Sequence, residues 1–124
     1  MTRVGLVGLG LIGAERLTAI RSLAARFPEA RLELVGTFEP GVPHPSVDAP
    51  PKLFGELSGL IAAAPDLAVV AVPHDVAGEI TSTLLGSGIR VHVEKPLGRT
   101  GLEARAISQN ATRASHLTVG FNYR

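Results

Sequence analysis

Cysteine is absent from the 124 residues. That removes disulfides, thiolate metal sites and cysteine nucleophiles, and it suits a reducing cytosol. No apolar run approaches the length needed to cross a bilayer, so no membrane partner is expected. No Lys/Arg-rich block is present either. Twelve basic residues against eleven acidic ones leave a formal charge of +1, and nucleic acid is not expected as a partner. A GxSxG element, a Cys/His pairing and the paired acids of a glycoside hydrolase are all missing, which leaves hydrolase chemistry without a carrier. His44, His92 and His116 are scattered without ligand spacing. His92 alternates with Val91 and Val93 as a strand side chain does, so no metal is expected.

What is present is ordinary globular composition. Hydrophobic residues make up 45% and charged residues 19%, which excludes disordered and fibrous classes. A chain of this length forms one domain and buries roughly two-thirds of its unfolded surface. The opening stretch MTRVGLVGLGLIGAERL has a basic residue followed by apolar ones, as a signal peptide does, but four glycines break it. It reads better as a strand, a turn and the start of a helix.

The punctuation continues in that style. Arg3 to Val7 suits a strand buried on both faces, and Leu11 to Phe27 places Leu17, Ile20, Leu23, Ala24 and Phe27 at helical spacing until Pro28. Leu32 to Phe38 is a second strand. Val42 to Pro51 holds four prolines and is a loop. Leu57 to Ala64 predicts a short helix before Pro65, and the continuous LAVVAV of Leu67 to Val72 predicts a buried parallel strand ended by Pro73. Val76 to Leu85 predicts a helix closed by Gly86 or Gly88, and Arg90 to Val93 a strand. Thr100 and Glu103 form a capping box, worth about 1 kcal/mol, for a helix to about Ser115. Leu117 to Phe121 is a last short strand. Strands alternating with helices predict an α/β, doubly wound, mostly parallel sheet of Rossmann type with helices on both faces.

Gly8-Leu9-Gly10-Leu11-Ile12-Gly13 spells GxGxxG. Alone it is a weak signal in a chain with fourteen glycines. Here it follows the first strand and opens the first helix, the context that a dinucleotide fingerprint requires. Gly8 then permits the tight turn, Gly10 lets the backbone approach a pyrophosphate, and Gly13 lets the helix pack on the strand. The helix amino end, with unpaired N–H groups and a positive dipole, stabilises the phosphates by up to about 2 kcal/mol. The competing reading is a glycine-rich turn without a ligand.

Such a site also calls for an acid at the end of the second strand, to accept from the adenosine ribose hydroxyls. Glu39 stands there. Its carboxylate repels the 2′-phosphate of NADP by about 1 to 4 kcal/mol at about 4 Å, so NAD is favoured over NADP. The alternative is a solvated glutamate at a loop edge. No arginine directly follows Glu39, and nothing in the sequence ties Arg16 or Arg21 of the first helix to the phosphate. In open α/β sheets ligands bind beyond the carboxyl ends of the strands, which brings Glu94-Lys95-Pro96 to the crevice. The Lys95 ammonium can hydrogen-bond a substrate oxygen and stabilise charge developing there as hydride moves. Pro96 restricts Lys95 to extended conformations. Alone, the tripeptide reads as an exposed lysine beside Glu94.

GLVGLGLIG, VVAVP, EKPLG and VGFNYR occur in this order along the whole chain and together resemble the Gfo/Idh/MocA family of oxidoreductases. The resemblance implies NAD- or NADP-dependent oxidation or reduction of a hydroxyl or carbonyl group of a sugar, inositol or related small molecule. It implies that Gly8, Gly10, Leu11, Ile12 and Gly13 hold the pyrophosphate and Glu39 the ribose. Pro73 would border the nicotinamide pocket, Val72, His74 and Glu94 would join the cofactor-binding residues, and Lys95 would be the catalytic, substrate-proximal lysine that also meets the cofactor.

Two departures qualify it. Where the family often has Asn and, three residues on, His, this chain has His74 and Ala77; a histidine capping a helix start is the plainer account of His74. The resemblance also implies a further domain that supplies substrate groups and most of an oligomer interface, and the chain is expected to lack it. Binding without efficient catalysis is then expected, since positioning is worth roughly 7 to 11 kcal/mol. Surface normally covered by that domain makes self-association, as a homo-oligomer, an expectation too. Two functions stay open: the cofactor domain of a cytoplasmic dehydrogenase or reductase, favoured by Lys95, and a non-catalytic nucleotide-binding or regulatory module, favoured by Ala77.

Overall fold

The computed structural model of the chain describes residues 2–47, 51–94 and 117–120. Strand β1 (Thr2–Val7) leads into helix α1 (Leu11–Arg26), a 3-10 turn (Pro28–Ala30) and β2 (Leu32–Phe38). After a loop come β3 (Leu53–Phe54), α2 (Leu57–Ala62), β4 (Leu67–Val70), α3 (His74–Gly86), β5 (Arg90–Glu94) and β6 (Leu117–Gly120). Every strand pair is parallel, and the sheet order is β3-β2-β1-β4-β5-β6. The chain leaves β1 towards β2 and β3, then crosses back to β4 on the other side of β1. A crevice forms where strand order reverses in this way. The predicted doubly wound α/β class is the observed one.

Register decides what meets at that crevice. Val7 lies opposite both Phe38 and Val70, and Val70 opposite Val93. Gly8, Glu39, Ala71 and Glu94 therefore follow one common edge of the sheet. Backbone bonds from Gly8 N–H to the Phe38 carbonyl and from Ala71 N–H to the Val7 carbonyl, both 2.8 Å, carry the ladder to that edge.

The two faces are covered unequally. On one, Leu60 of α2 and Ala77, Leu84 and Leu85 of α3 bury Val7, Val70, Val91 and Val93. Leu60 also lies 3.0 Å from where a Cβ on Gly5 would stand, so that glycine lets α2 sit close to the sheet. On the other face Leu9 and Leu17 enclose Leu6. Arg3 terminates α2, its Nε donating to the Ala64 carbonyl at 3.1 Å, a cation placed at a helix carboxyl end.

Four sequence expectations are adjusted. Strand β4, predicted as a buried strand over Leu67 to Val72, ends at Val70 and alternates buried and half-exposed residues, and β5 alternates in the same way. The reason is that α1 packs on β1 and β2, so among the described residues Val69 and His92 on its side of the sheet keep partial exposure. Helix α1 rests on the sheet through Gly13 and Leu17, while Leu23 and Phe27, assigned to its apolar face, are 47% and 45% exposed. Strand β3 was not expected; two residues after a proline-rich loop carry no periodicity, and they pair with Thr37 and Phe38 because the Phe54 ring fits over Gly36 and Gly59. Helix α3 starts at His74, two residues before Val76. The capping box of Thr100 and Glu103 and its helix lie outside the described residues.

Truncating Leu60, which is fully buried between α2 and the sheet, removes contacts on β1 and β2 together. Leu60→Ala is expected to lower stability by about 2 to 5 kcal/mol, read as a fall in the urea unfolding midpoint.

Candidate dinucleotide site

The glycine-rich turn joins β1 to α1 at the crevice. Gly8 has φ +103°, a left-handed conformation that costs a residue with a Cβ. Space forbids a side chain as well, because a Cβ there would fall on the Ala71 carbonyl of the neighbouring strand. Gly13 is closed in the same way: its Cβ would fall on the Gly8 carbonyl, so helix and strand touch backbone to backbone. Gly10 differs, since a Cβ there would meet nothing within 4 Å. Two of the three fingerprint glycines make room for the protein itself, and the third faces open space.

Gly10 is also the N-cap of α1, with no side-chain cap and no acidic residue in the first turn. The orphan N–H groups of that turn and its positive dipole end are left uncompensated by side chains. The arrangement is an anion site that fits a pyrophosphate. Leu11 opens the helix at 60% exposure, and Ile12 is half-buried behind it.

Glu39 closes the second side. Its Oε1 accepts from Leu9 N–H at 2.5 Å and its Oε2 from Gly41 N–H at 2.7 Å. The carboxylate thus links the end of β2 to the middle of the glycine turn. The proline-rich loop adds a third tie, as His44 N–H donates to the Leu9 carbonyl at 2.6 Å. The Leu9 peptide is held from both ends, and Leu9 itself is fully buried. Beside Glu39 lies a cleft of about 270 Å³ lined by Phe38, Pro40, Leu57, Val76, Ile80 and, at its polar rim, Glu79 and Thr83. Phe38 and Pro40 flank Glu39 in sequence, while the Glu39 side chain itself is not part of the lining. This cleft was not foreseeable from sequence, because its walls come from three separate elements.

At the β5 side Glu94 is met by Arg16 of α1. Arg16 donates from Nη2 to Oε1 at 2.8 Å and from Nε to Oε2 at 3.3 Å, and His92 Nε2 lies 3.5 Å from Oε2. The Glu94 side chain is only 10% exposed. The hydrogen bond from Arg16 holds the Glu94 carboxyl below its ordinary value, against an opposing push from burial. The same bond raises Arg16. Arg16 is therefore committed to Glu94. Val72 is half-buried and Pro73, the N-cap of α3, is exposed; the side chain of His74, read from sequence as a helix cap, lies outside the described ones. Ala77 is 2% exposed and belongs to the core. Lys95 and Pro96 lie outside the described residues.

Gly10→Ala is expected to cost less than about 1 kcal/mol, whereas Gly13→Val, which forces a side chain against a backbone carbonyl, costs about 3 kcal/mol or prevents folding. Equal urea midpoints for the two variants would contradict the assignment of open and filled space. The Arg16–Glu94 pair carries a pH signature. A carboxylate lowered on folding stabilises above its unfolded value, about 4.5, and that contribution is lost as pH falls through the folded value. The stability gap between wild type and Glu94→Gln is expected to be full at neutral pH, at about 1 kcal/mol, and to shrink below about pH 4.5; a gap that widens in acid would refute it.

The model of the oxidoreductase family with an NAD-binding Rossmann fold, Gfo/Idh/MocA, matches residues 2–122. No curated protein sequence matches. Among solved structures, a Gfo/Idh/MocA family oxidoreductase from Vibrio cholerae superposes with a TM-score of 0.74 at 20% identity, over 97% of this chain and 38% of that one. Biliverdin reductase from Synechocystis, in complex with biliverdin and NADP+, gives 0.73 at 22% over 98% and 37%. GenD2 from gentamicin A biosynthesis, in complex with NAD, gives 0.71 at 20% over 96% and 34%. The chain thus spans little more than a third of the length of these structures. At these identities they show a shared fold, which is the one described above. Among the described residues no helix is long and apolar enough to cross a membrane. The glycine turn, the strand order and the family match over nearly the whole length lead to one assignment: the chain belongs to the Gfo/Idh/MocA oxidoreductase family, as its NAD-binding Rossmann domain.

Proposed function

We propose that this chain holds NAD, in preference to NADP, for an oxidoreductase that moves hydride to or from a hydroxyl or carbonyl carbon of a sugar, inositol or related small molecule. The observation that carries the reading is the contrast among the glycines. Gly8 and Gly13 are filled by the protein's own backbone, and Gly10 opens on empty space at an uncapped helix start. The pyrophosphate would lie over Gly10, Leu11 and Ile12, the adenosine ribose on Glu39, and the adenine in the cleft beside Phe38 and Pro40. Val72, Pro73, His74 and Glu94 would border the nicotinamide ribose.

Preference for NAD rests on Glu39. Two backbone N–H groups orient its carboxylate, and a 2′-phosphate would sit against it at a cost of about 1 to 4 kcal/mol. Arg16, the nearer of the two helix arginines considered for that phosphate, is engaged by Glu94. When bound, the nicotinamide supplies or accepts the hydride. Lys95, directly after Glu94, would hydrogen-bond the substrate oxygen and stabilise its developing charge. Substrate recognition and a homo-oligomeric interface would come from a second domain, and a cysteine-free chain fits a cytoplasmic setting. A second reading, a non-catalytic nucleotide-binding module, draws on Ala77, whose methyl group is packed in the core where relatives often carry a histidine.

Calorimetric titration with NADH and NADPH tests the binding claims. NADH is expected to bind about tenfold or more tightly than NADPH, about 1.4 kcal/mol. Gly10→Ala should abolish both without loss of fold, and Glu39→Ala should narrow the ratio. Failure of folded wild type to bind either cofactor at millimolar concentration would overturn the proposal.

A further inference from the structure

The cleft beside Glu39 has an uneven lining. Phe38, Pro40, Leu57, Val76 and Ile80 are apolar, and Glu79 and Thr83 are its two polar members. Val76, Glu79, Ile80 and Thr83 fall at helical positions i, i+3, i+4 and i+7, so one stripe of α3 forms that wall. A stripe of this kind is ordinarily apolar throughout. Here it carries an acid, and among the described residues that acid has no cationic partner.

The hydrogen-bonding character of the rim is one-sided. The Thr83 hydroxyl donates its only proton to the Glu79 carbonyl at 2.9 Å, which leaves its oxygen able only to accept from a ligand. The Glu79 carboxylate also only accepts. An apolar cleft with an acceptor rim suits an apolar-faced ring that presents N–H groups at its edge. Adenine does so through its exocyclic amino group.

We propose that Glu79, supported by Thr83, is a specificity-determining residue that reads the amino group of the purine base. The proposal rests on the dinucleotide reading above and adds to it a base-selecting group on α3. Hydrogen bonds to charged groups contribute more than neutral ones, so Glu79 supplies most of the discrimination and Thr83 the remainder.

The test uses two ligands and three proteins. The ligands are NAD+ and its etheno derivative, in which the adenine amino nitrogen is closed into a third ring and keeps no N–H. The proteins are the wild-type chain, Glu79→Ala and Glu79→Gln, with thermal unfolding to establish that each is folded. Wild type is expected to bind NAD+ about tenfold more tightly than the etheno compound. Glu79→Ala should weaken NAD+ by most of that factor and leave the etheno compound unchanged, which reduces the preference to the small part that Thr83 supplies. Glu79→Gln keeps an uncharged acceptor and should fall between them. If wild type binds both ligands and Glu79→Ala changes neither, or weakens both equally, the inference fails and the dinucleotide reading stands. If folded wild type binds neither ligand, the dinucleotide reading itself fails and takes this inference with it.

Discussion

The architecture of the site depends on a backbone-to-backbone contact between Gly13 of α1 and Gly8 at the end of β1, possible only because neither residue has a Cβ. The contact sets the height of the helix above the sheet. It also aims the uncapped amino end of α1 into the crevice where strand order reverses. The ties to Glu39 and Glu94 are made at that height. Leu9 N–H reaches Glu39 from the turn, and Arg16 reaches Glu94 from one turn into the helix. A methyl group at Gly13 would lift the helix and stretch both. Shape and charge at the crevice are therefore one property.

The two acids at the sheet edge are handled differently, and the difference suits an anionic ligand. Glu39 is satisfied by backbone N–H groups, which orient it without cancelling its charge. Glu94 is paired with a guanidinium and stands near an imidazole, so its field is largely neutralised. An anion would approach across an edge where one carboxylate is neutralised by its partner and the other keeps its charge. The uncompensated helix end then dominates the local field.

Much of this was legible from sequence because it is local. Three glycines between an apolar strand and a helix specify a turn, a close packing and an open approach, and the structure assigns those roles to Gly8, Gly13 and Gly10 separately. Glu39 was legible as a strand-end acid, since it directly follows Phe38. The Arg16–Glu94 pair was not, because its partners are 78 residues apart and meet only when β5 lies two strands from β1 in the sheet. Periodicity also overstated burial. It marks which residues of α1 share a face, yet Leu23 and Phe27 lie beyond the part of the helix that meets the sheet. The cleft was hidden for a related reason, as Phe38, Leu57 and Ile80 belong to three elements that meet only in the fold. The spacing that revealed α3 as a helix could not show that Glu79 stands on its cleft-lining stripe.

The enclosure around the crevice is lopsided, and that has a consequence for how affinity and chemistry divide. On the side proposed for the adenosine, Glu39 and the His44 loop are tied to the glycine turn by hydrogen bonds to its backbone. Ties of this kind restrict the loop, and a restricted binding surface converts contacts into affinity more efficiently. On the side proposed for the nicotinamide the described residues offer Pro73, which is exposed, and the sheet surface of β4 and β5, which is half-covered. In the proposed arrangement, binding energy gathered at the adenosine end would anchor the dinucleotide while the nicotinamide ring is still loosely held. Rate depends on that ring's placement to within fractions of an ångström, whereas affinity does not. A domain of this design can therefore be a competent cofactor holder and still need further groups to become a catalyst.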